Sequence, residues 1–562
     1  MPADRMVPAL SAVLREGYTL AHLRRDAIAG LTVAIVAVPL SMAIAIASGA
    51  PPAMGLYTAI VGGFFISALG GSRFQIGGPA GAFIVLVAAT VHDHGLAGMV
   101  LATMLAGVMM AAMGLLRLGS YIKFIPYPVT VGFTAGIGVI IFSSQIKDLL
   151  GLTLTGPEPG PILAKLPVIW AALPTANPVT IALAAVTIGL ILGLKRWAPR
   201  VPNLLVAVAG TTAAVALFGL DTPTIVSTFG AVPAGLPVPS LPPVSWALVL
   251  AVLPNAIGFT LLGSIEALLS AVVADGMSGR RHNSNMELLG QGIANLASGV
   301  MGGMVATGTI ARTATNVRAN AHGPVAGMLH ALFVLAFMMV AAPLVGMVPL
   351  AALAGVLATV AWNMIERHAI ATLVRTSRED TVVLLATLLL TVFRDLTEAI
   401  VVGFSLGALL FIHRMSKATG VRSIHADDAD DTPEPTGVSR ADEILVYRIS
   451  GAFFFGAASA VGAVLERIAD THRALVIDFA DAALVDTTAI RTVEGLAAGA
   501  RRKGIVVVLT GAPPALRAQF EAHGLRPPAV AFEPDVREGV RRARALLGAQ
   551  APVGTAAPAP AS

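Results

Sequence analysis

Cysteine is absent from all 562 residues, which excludes disulfides, thiolate nucleophiles and Cys-ligated metal centres. Charge is scarce as well. Asp, Glu, Lys and Arg make up 12% of the chain, against roughly a quarter in soluble domains. A Walker A loop is missing, and Gly504 or Gly511 alone does not make a nucleotide site. No short apolar run with a small-residue cleavage site follows Arg5 and Arg15, so the N-terminus does not read as a cleavable signal peptide and the first span serves as the anchor. The net charge of +5 sits in short loops and gives no nucleic-acid signature.

What is present is hydrocarbon. Hydrophobic residues make up 56% of the chain and mean hydropathy is +0.80. Apolar runs recur at about 20 residues, the length that crosses ~30 Å of bilayer core. In order they are 27–47, 54–69, 78–91, 96–116, 129–146, 178–194 and 201–220, then 245–274, 286–301, 309–317, 324–342, 348–364, 380–392 and 397–412. A Pro-rich connection, 221–244, separates two sets of seven, and the third segment of each set is short. Seven is odd, so the second set enters from the opposite side, which predicts an inverted repeat.

Loop charges agree with fourteen crossings. With the N-terminus inside, Arg73, Arg117, Lys123, Lys195, Arg196, Arg200, Arg280, Arg281, Arg318, Arg367, Arg375 and Arg378 face the cytoplasm. Only Lys147, Lys165 and Arg394 face out, the expected bias for short loops.

The two short segments are the most informative stretches. Gly70–Phe83 reads GGSRFQIGGPAGAF and Gly302–Asn320 reads GGMVATGTIARTATNVRAN. Neither spans a bilayer as a helix. Short, Gly/Pro-interrupted segments at matching places in two halves point to a binding site between half-helices. Pro79 suits a first helical turn, with Gly81, Ala82 and Phe83 after it. Thr307, Thr309, Ile310 and Ala311 stand at the start of the second half-helix, where Thr hydroxyls cap the helix or touch a ligand. Arg312 follows where hydrocarbon is expected, and a charge at that depth needs a partner, for which a permeating anion qualifies. The competing readings are close packing through Gly and Ala, and for Arg312 a structural pair with a carboxylate or backbone carbonyls. Glu266 is the other charge inside a span. Ser270 lies at i+4 on the same helix face. A carboxyl placed there carries a coupling proton or makes a fixed pair with Arg312. His92-Asp93-His94 reads as a solvated outer turn rather than a metal site, and the Gly132/Gly136 pair as helix packing.

Beyond 413 the pattern changes. Residues 414–442 form a linker, basic at first, then acidic and Pro-containing over 427–434. Strand candidates at 444–449, 474–479 and 505–509 alternate with helical stretches at 457–469, 488–502 and 514–524, which predicts a small α/β domain over 443–548. The Ala/Pro-rich 549–562 reads as a disordered tail. Asp486-Thr487-Thr488-Ala489 lies at a strand-to-helix junction, where Asp and Thr act as helix caps.

The strings AGLTVAIVAVPLSMAIAIASGAPPAMGLYTA (29–59), GGSRFQIGGPAGAF (70–83), GFTAGIGVIIFSSQIKDLLG (132–151), GSIEALLSAVVADGMSG (263–279) and ATGTIARTATNVRANAHGPVAG (306–327) resemble the sulfate permease (SulP) family of anion transporters. The resemblance runs from about Asp26 to Leu547. PLSMAIAIASG, GSIEALLSAVVADGM and TIARTATNVRA are most similar to the branch that includes the four-carbon dicarboxylate transporter DauA.

The resemblance implies a polytopic α-helical membrane domain over 27–413, with repeats 27–220 and 245–413, after a cytoplasmic segment 1–26 and before a cytoplasmic STAS domain. A core of spans 1–4 and 8–11 would move against a gate of spans 5–7 and 12–14, with the anion between half-helices 3 and 10. By the same resemblance Phe83 matches an aromatic position near the anion, and Glu266 and Ser270 line the site or serve a coupling ion. Thr487 and Thr488 match a loop that is phosphorylated in some soluble STAS proteins. Two departures bear on coupling. Leu40 follows Pro39 where relatives carry Glu or Gln, leaving Ser41 as the nearest hydroxyl, and Ala80 stands where relatives carry Thr. Losing that hydroxyl disfavours a sodium site, since hard cations want oxygen ligands.

The expectation is a secondary anion transporter of the cytoplasmic membrane, both termini inside, homodimeric, without cofactor, metal or catalysed reaction. It would move a dicarboxylate such as succinate or fumarate, or sulfate or bicarbonate, by alternating access with proton symport. A passive anion channel and a STAS-coupled membrane sensor are the alternatives.

Overall fold

The computed structural model describes residues 6–120, 126–156, 158–159, 161–198, 201–394, 396–418, 420–424, 443–455 and 472–549. Lys123, Arg200, the acidic stretch 427–434, the helical stretch at 457–469 and tail residues 550–562 lie outside them. The chain divides into two compact units, Met1–Gly407 and Ala408–Ser562.

The described residues form fourteen segments in two sets of seven, thirteen of them within the first unit and the last running past its end at Gly407. In the first repeat they are segment 1 (Leu20–Ala47), segment 2 (Pro52–Leu69), the half-helix 3 that starts at Gly81, segment 4 ending at Leu115, and segments 5 (Tyr127–Leu150), 6 (Pro178–Trp197) and 7 (Asn203–Phe218). The second repeat has segments 8 (Trp246–Ser278), 9 (Ser284–Val300), half-helix 10 (Ile310–Arg318), 11 (Val325–Gly346), 12 (Leu350–Met364), 13 (Arg378–Phe393) and 14 (Leu396–Ala418). Long apolar runs become helices because a bilayer offers the backbone no other hydrogen-bond partner. The ends are set locally. Pro52, Pro178 and the Pro126-Tyr127-Pro128 stretch mark helix starts, where a missing N–H costs nothing. Gly151, Gly219 and Gly279 close helices in the left-handed conformation.

Several details differ from the sequence reading. Segments 3 and 4 are two helices that meet without a loop at Gly95, whose backbone is non-helical (φ 68°, ψ −178°). His92, Asp93 and His94 close the first of these helices next to that break, with His92 and Asp93 exposed. Helices at Ala9–Arg15, Ile162–Ala172, Ile225–Phe229 and Arg367–Thr376 lie in stretches read as loops or connections. Each is too short for a crossing, so a search for 20-residue runs passes over it.

Packing separates two groups of helices. Segment 9 lies along segment 4, segment 11 along segment 1, and segment 8 against segment 4 and half-helix 10. Segment 5 packs on 12 and 13, and segment 6 on 7 and 12. Gly132 and Gly136 face Leu384, Thr387 and Thr391 with no room for a Cβ, so the GxxxG is a packing seam between segments 5 and 13.

In the second unit, residues 414–418 are helical and 420–424 form a strand, which corrects the reading of this stretch as linker. Strand β3 (Gly420–Ile424) pairs antiparallel with β4 (Ile444–Phe453), which is followed in the sheet by β5 (Ala474–Asp478), β7 (Val506–Thr510) and β8 (Ala531–Glu533), all parallel. β6 (Ala482–Val485) pairs with the far end of β4. Helix Thr487–Arg502 packs Ile490, Val493 and Ala497 on one face of the sheet, and Val536–Ala549 packs Val540, Ala543 and Leu547 on the other. Buried Asp478 accepts from Arg448 Nε (2.7 Å) and Thr510 Oγ1 (3.0 Å).

Candidate functional site: two broken helices that start side by side

The half-helices are joined at their beginnings. β1 (Gly77–Gly78) and β2 (Thr307–Gly308) pair antiparallel, Gly77 opposite Gly308 and Gly78 opposite Thr307. The Thr309 amide donates to the Ile76 carbonyl at 3.1 Å. Immediately beyond the ladder each chain turns into helix, at Gly81–Phe83 and at Ile310. Half-helix 10 has nine residues, about 14 Å at 1.5 Å per residue, so it cannot cross the bilayer. Two positive dipole ends with unpaired N–H groups thus begin side by side inside the membrane unit.

Backbone this irregular survives at membrane depth only if its polar groups are paired. Segment 9 does much of that. Asn295 donates to the Ala306 carbonyl (2.9 Å) and accepts from the Ala306 amide (2.8 Å), and Ser298 donates to the Met304 carbonyl (2.8 Å). Glu287 accepts from the Ser72 amide (2.9 Å) and from Gln291 Nε2 (2.9 Å). Thr58 accepts from the Met304 amide, Thr313 from the Ile76 amide, and Asn316 donates to the Phe74 carbonyl. The sequence reading missed these residues. Glu287, Gln291, Asn295 and Ser298 recur at helical spacing along one face of an apolar span, and that stripe is the signal that would have found them.

The expected site residues separate into two groups. Gly81 is half-buried, Ala82 and Thr309 are buried, and Ile310 and Ala311 are exposed at the start of half-helix 10. A Cβ on Gly81 would reach Ile141 of segment 5 and Met364 of segment 12, so the second helix group approaches this end. Thr309 stands at the N-cap position without capping, and its Oγ1 has no partner.

Phe83 is enclosed instead, edge-on to Phe259 with ring centroids 5.9 Å apart. Arg312 is 2% exposed. Its Nη2 donates to Ser41 Oγ (3.1 Å) and the Pro79 carbonyl (3.3 Å), while Nε and Nη1 have no partner. One side chain therefore links segment 1, the approach to half-helix 3 and half-helix 10. Glu266 makes no ion pair with Arg312 among the described residues, and its Oε2 is buried without a partner. Ser270 donates to Thr313 Oγ1 at 3.0 Å, one turn into half-helix 10. Two further buried groups were not foreseen, Gln75 and His330, neither with a hydrogen bond to its side-chain nitrogens or oxygen. In the second unit Asp486 caps its helix, accepting from the amides of Ala489 (2.8 Å) and Phe455 (3.0 Å), and Thr487 and Thr488 are exposed.

Residues 23–387 match the model of the sulfate permease family. The chain belongs to that family. Residues 437–539 match the STAS domain. The YvdB protein of Bacillus subtilis (strain 168) is 40% identical over 84% of this chain and 88% of its own length. The bicarbonate transporter BicA of Synechocystis is 33% identical over 87% of this chain and 88% of its own. The transmembrane domain of a cyanobacterial BicA superposes with a TM-score of 0.63 at 33% identity, covering 68% of this chain and 98% of that one. Murine Solute Carrier 26 family member A9 in the inward-facing state reaches a TM-score of 0.84 over 96% of this chain and 94% of its own, at 19% identity, a likeness of fold alone. As a sulfate permease family member, the protein is a multi-pass membrane transporter of the anion class and not an enzyme.

Proposed function

We propose that this sulfate permease family member is a secondary anion transporter of the cytoplasmic membrane, with both termini inside. Its anion rests against the N-terminal amides of the two half-helices, at Gly81 and Ala82 on one side and Thr309, Ile310 and Ala311 on the other. The observation that carries this reading is the β1–β2 ladder, which sets the starts of two broken helices side by side beneath exposed Ile310 and Ala311. Amide donors at a helix start bind an oxyanion without a fixed counter-charge. Arg312 adds positive potential from behind, through its ties to Ser41 and Pro79.

Alternating access follows from the division of helices. The group that carries the half-helices shifts against the group that contributes Ile141 and Met364, opening the half-helix starts to each side in turn. Glu266 carries a coupling proton: it faces this region from segment 8 with an unpartnered oxygen and no ion pair to lock it. Ser270, tied to Thr313, keeps segment 8 aligned with half-helix 10. Sodium is disfavoured because Ala80 offers no side-chain oxygen. The cargo is a small oxyanion. Bicarbonate is named for the BicA relatives and sulfate for the bovine sodium-independent sulfate anion transporter, 27% identical over 90% of this chain; four-carbon dicarboxylates follow from the branch resemblance. A homodimer is the expected assembly.

Proteoliposomes carrying an inward proton gradient test the reading. Labelled sulfate, bicarbonate or succinate should accumulate above equilibrium. Uptake that only equilibrates indicates a passive channel, and binding without flux indicates a sensor.

A further inference from the structure

The segment before the first span is clipped to the stretches that lead into and out of the half-helices. The Ala9 amide donates to the Gly70 carbonyl at 2.9 Å, and Glu16 pairs with Arg73. Val13 is fully buried, against Gly323. Asp26 gathers three donors: Tyr18 Oη (2.7 Å) and the amides of His322 (2.6 Å) and Gly323 (3.1 Å). Two histidines lie at the centre. His22, in the first turn of segment 1, stacks on His322, beyond half-helix 10, with ring centroids 3.6 Å apart and planes within 4°.

This geometry is disfavoured by a second charge on the stacked pair. His22 Nδ1 accepts the Thr19 amide at 3.2 Å, while Thr19 Oγ1 accepts the His22 amide, a reciprocal cap on segment 1. An imidazole that accepts at Nδ1 carries its proton on Nε2. A second proton must therefore go to Nδ1, where it opposes the Thr19 N–H and ends the cap. It also places a charge face to face with His322. We propose that residues 9–26 form a pH-sensitive clasp on the cytoplasmic face, closed while His22 and His322 are neutral and opened when they take up protons.

Two neighbouring groups are held away from the imidazole range. The Arg73 guanidinium holds the Glu16 carboxyl below the usual carboxylate range, with Arg280 and His322 adding to it against a smaller effect of burial. Burial and the Asp26 carboxylate hold the Tyr18 phenol above its ordinary value. For His322 itself, burial and the stacked His22, with Arg73, lower its proton affinity against the pull of Asp26 and Glu16. The sign follows. The open form binds more protons than the closed form, so the clasp is fully closed above an ordinary imidazole value of about 6.5 and loosens below it. Opening frees Gly70–Arg73 and Ala319–Gly323, the stretches next to the two half-helices, and so links cytosolic acidity to the transport site.

Hydrogen–deuterium exchange on the full-length protein in detergent, at pH 7.5 and pH 5.5 with intrinsic rates corrected, tests this apart from transport. Residues 9–22 and 319–323 should exchange roughly tenfold faster at the lower pH, the factor expected from two like charges at stacking distance in water. His22→Gln, whose amide oxygen can accept from Thr19 at either pH, should shrink the difference severalfold, and His322→Gln, which also removes one of the two stacked charges, should shrink it as well. Equal exchange at both values in the wild type, or an undiminished difference in H22Q, would overturn the clasp. Neither result touches the proton symport reading, which depends on Glu266.

Discussion

Removing Arg312 separates a charge that serves the anion from a strut that serves the fold. Its Nη2 holds two acceptors, Ser41 Oγ and the Pro79 carbonyl. Hydrogen bonds from a charged donor contribute about 1.5–3 kcal/mol each. Against this stands the cost of burying a guanidinium whose Nε and Nη1 are unpartnered, several kcal/mol for a charge without a counter-ion. The two nearly cancel, so Arg312→Ala should change the stability of the empty protein by less than about 2 kcal/mol, a few degrees in Tm. Anion binding should respond differently. A unit charge about 7 Å from an oxyanion contributes ~2.4 kcal/mol at an effective dielectric of 20, or a ~60-fold weaker Kd on its loss. Differential scanning fluorimetry with and without anion reads both quantities, because bound ligand raises Tm by mass action. The reasoning fails if R312A melts far below wild type yet keeps its Kd, since Arg312 is then only a brace. R312K, which keeps the charge but not the planar fork, should fall between the two.

Three further outcomes follow from the same geometry. Glu266→Gln should eliminate accumulation driven by a proton gradient while preserving anion exchange at symmetric pH; an unaltered pH dependence in proteoliposomes removes Glu266 as the carrier. Gly308→Ala should cost 2 kcal/mol or so, read as a lower Tm with reduced flux, because its Cβ would collide with the Gln75 carboxamide, and Gln75→Ala in the same chain should recover part of the loss. Asp486→Ala should weaken the STAS helix start by about 1–2 kcal/mol, visible as faster amide exchange at Ala489 and Phe455, with slow exchange there as the contrary result.

Much of the fold was legible because a bilayer leaves the backbone few options. Runs of about 20 apolar residues must be helices, and Gly70–Phe83 and Gly302–Asn320 interrupt that rule at matching places, so the broken helices could be found without coordinates. Side-chain partners could not. Hydropathy says that Arg312 is buried, not that it reaches across to Ser41 and Pro79, and it draws Glu266 and Arg312 together although no ion pair forms between them. Phe83 reads as site-lining from its position in the string, yet Phe259, 176 places on in the chain, encloses it. Asn295 and Glu287 belong to a polar stripe that marks one face of segment 9, but the stripe does not say that they hold unwound backbone 11 and 215 residues away. The short helices at 162–172 and 367–376 fell below the length that a crossing requires.

The absence of cysteine offers the most direct test of the central idea that the anion sits at the starts of both half-helices. Ala311→Cys places the sole thiol of the chain at the exposed start of half-helix 10. Its rate of modification by a small charged thiol reagent should drop severalfold when a transported anion is present, while Ala522→Cys, exposed on the STAS helix Pro514–Ala522, should react at an unchanged rate. If an anion that the protein demonstrably transports leaves the reactivity of A311C untouched, the anion does not bind between these helices.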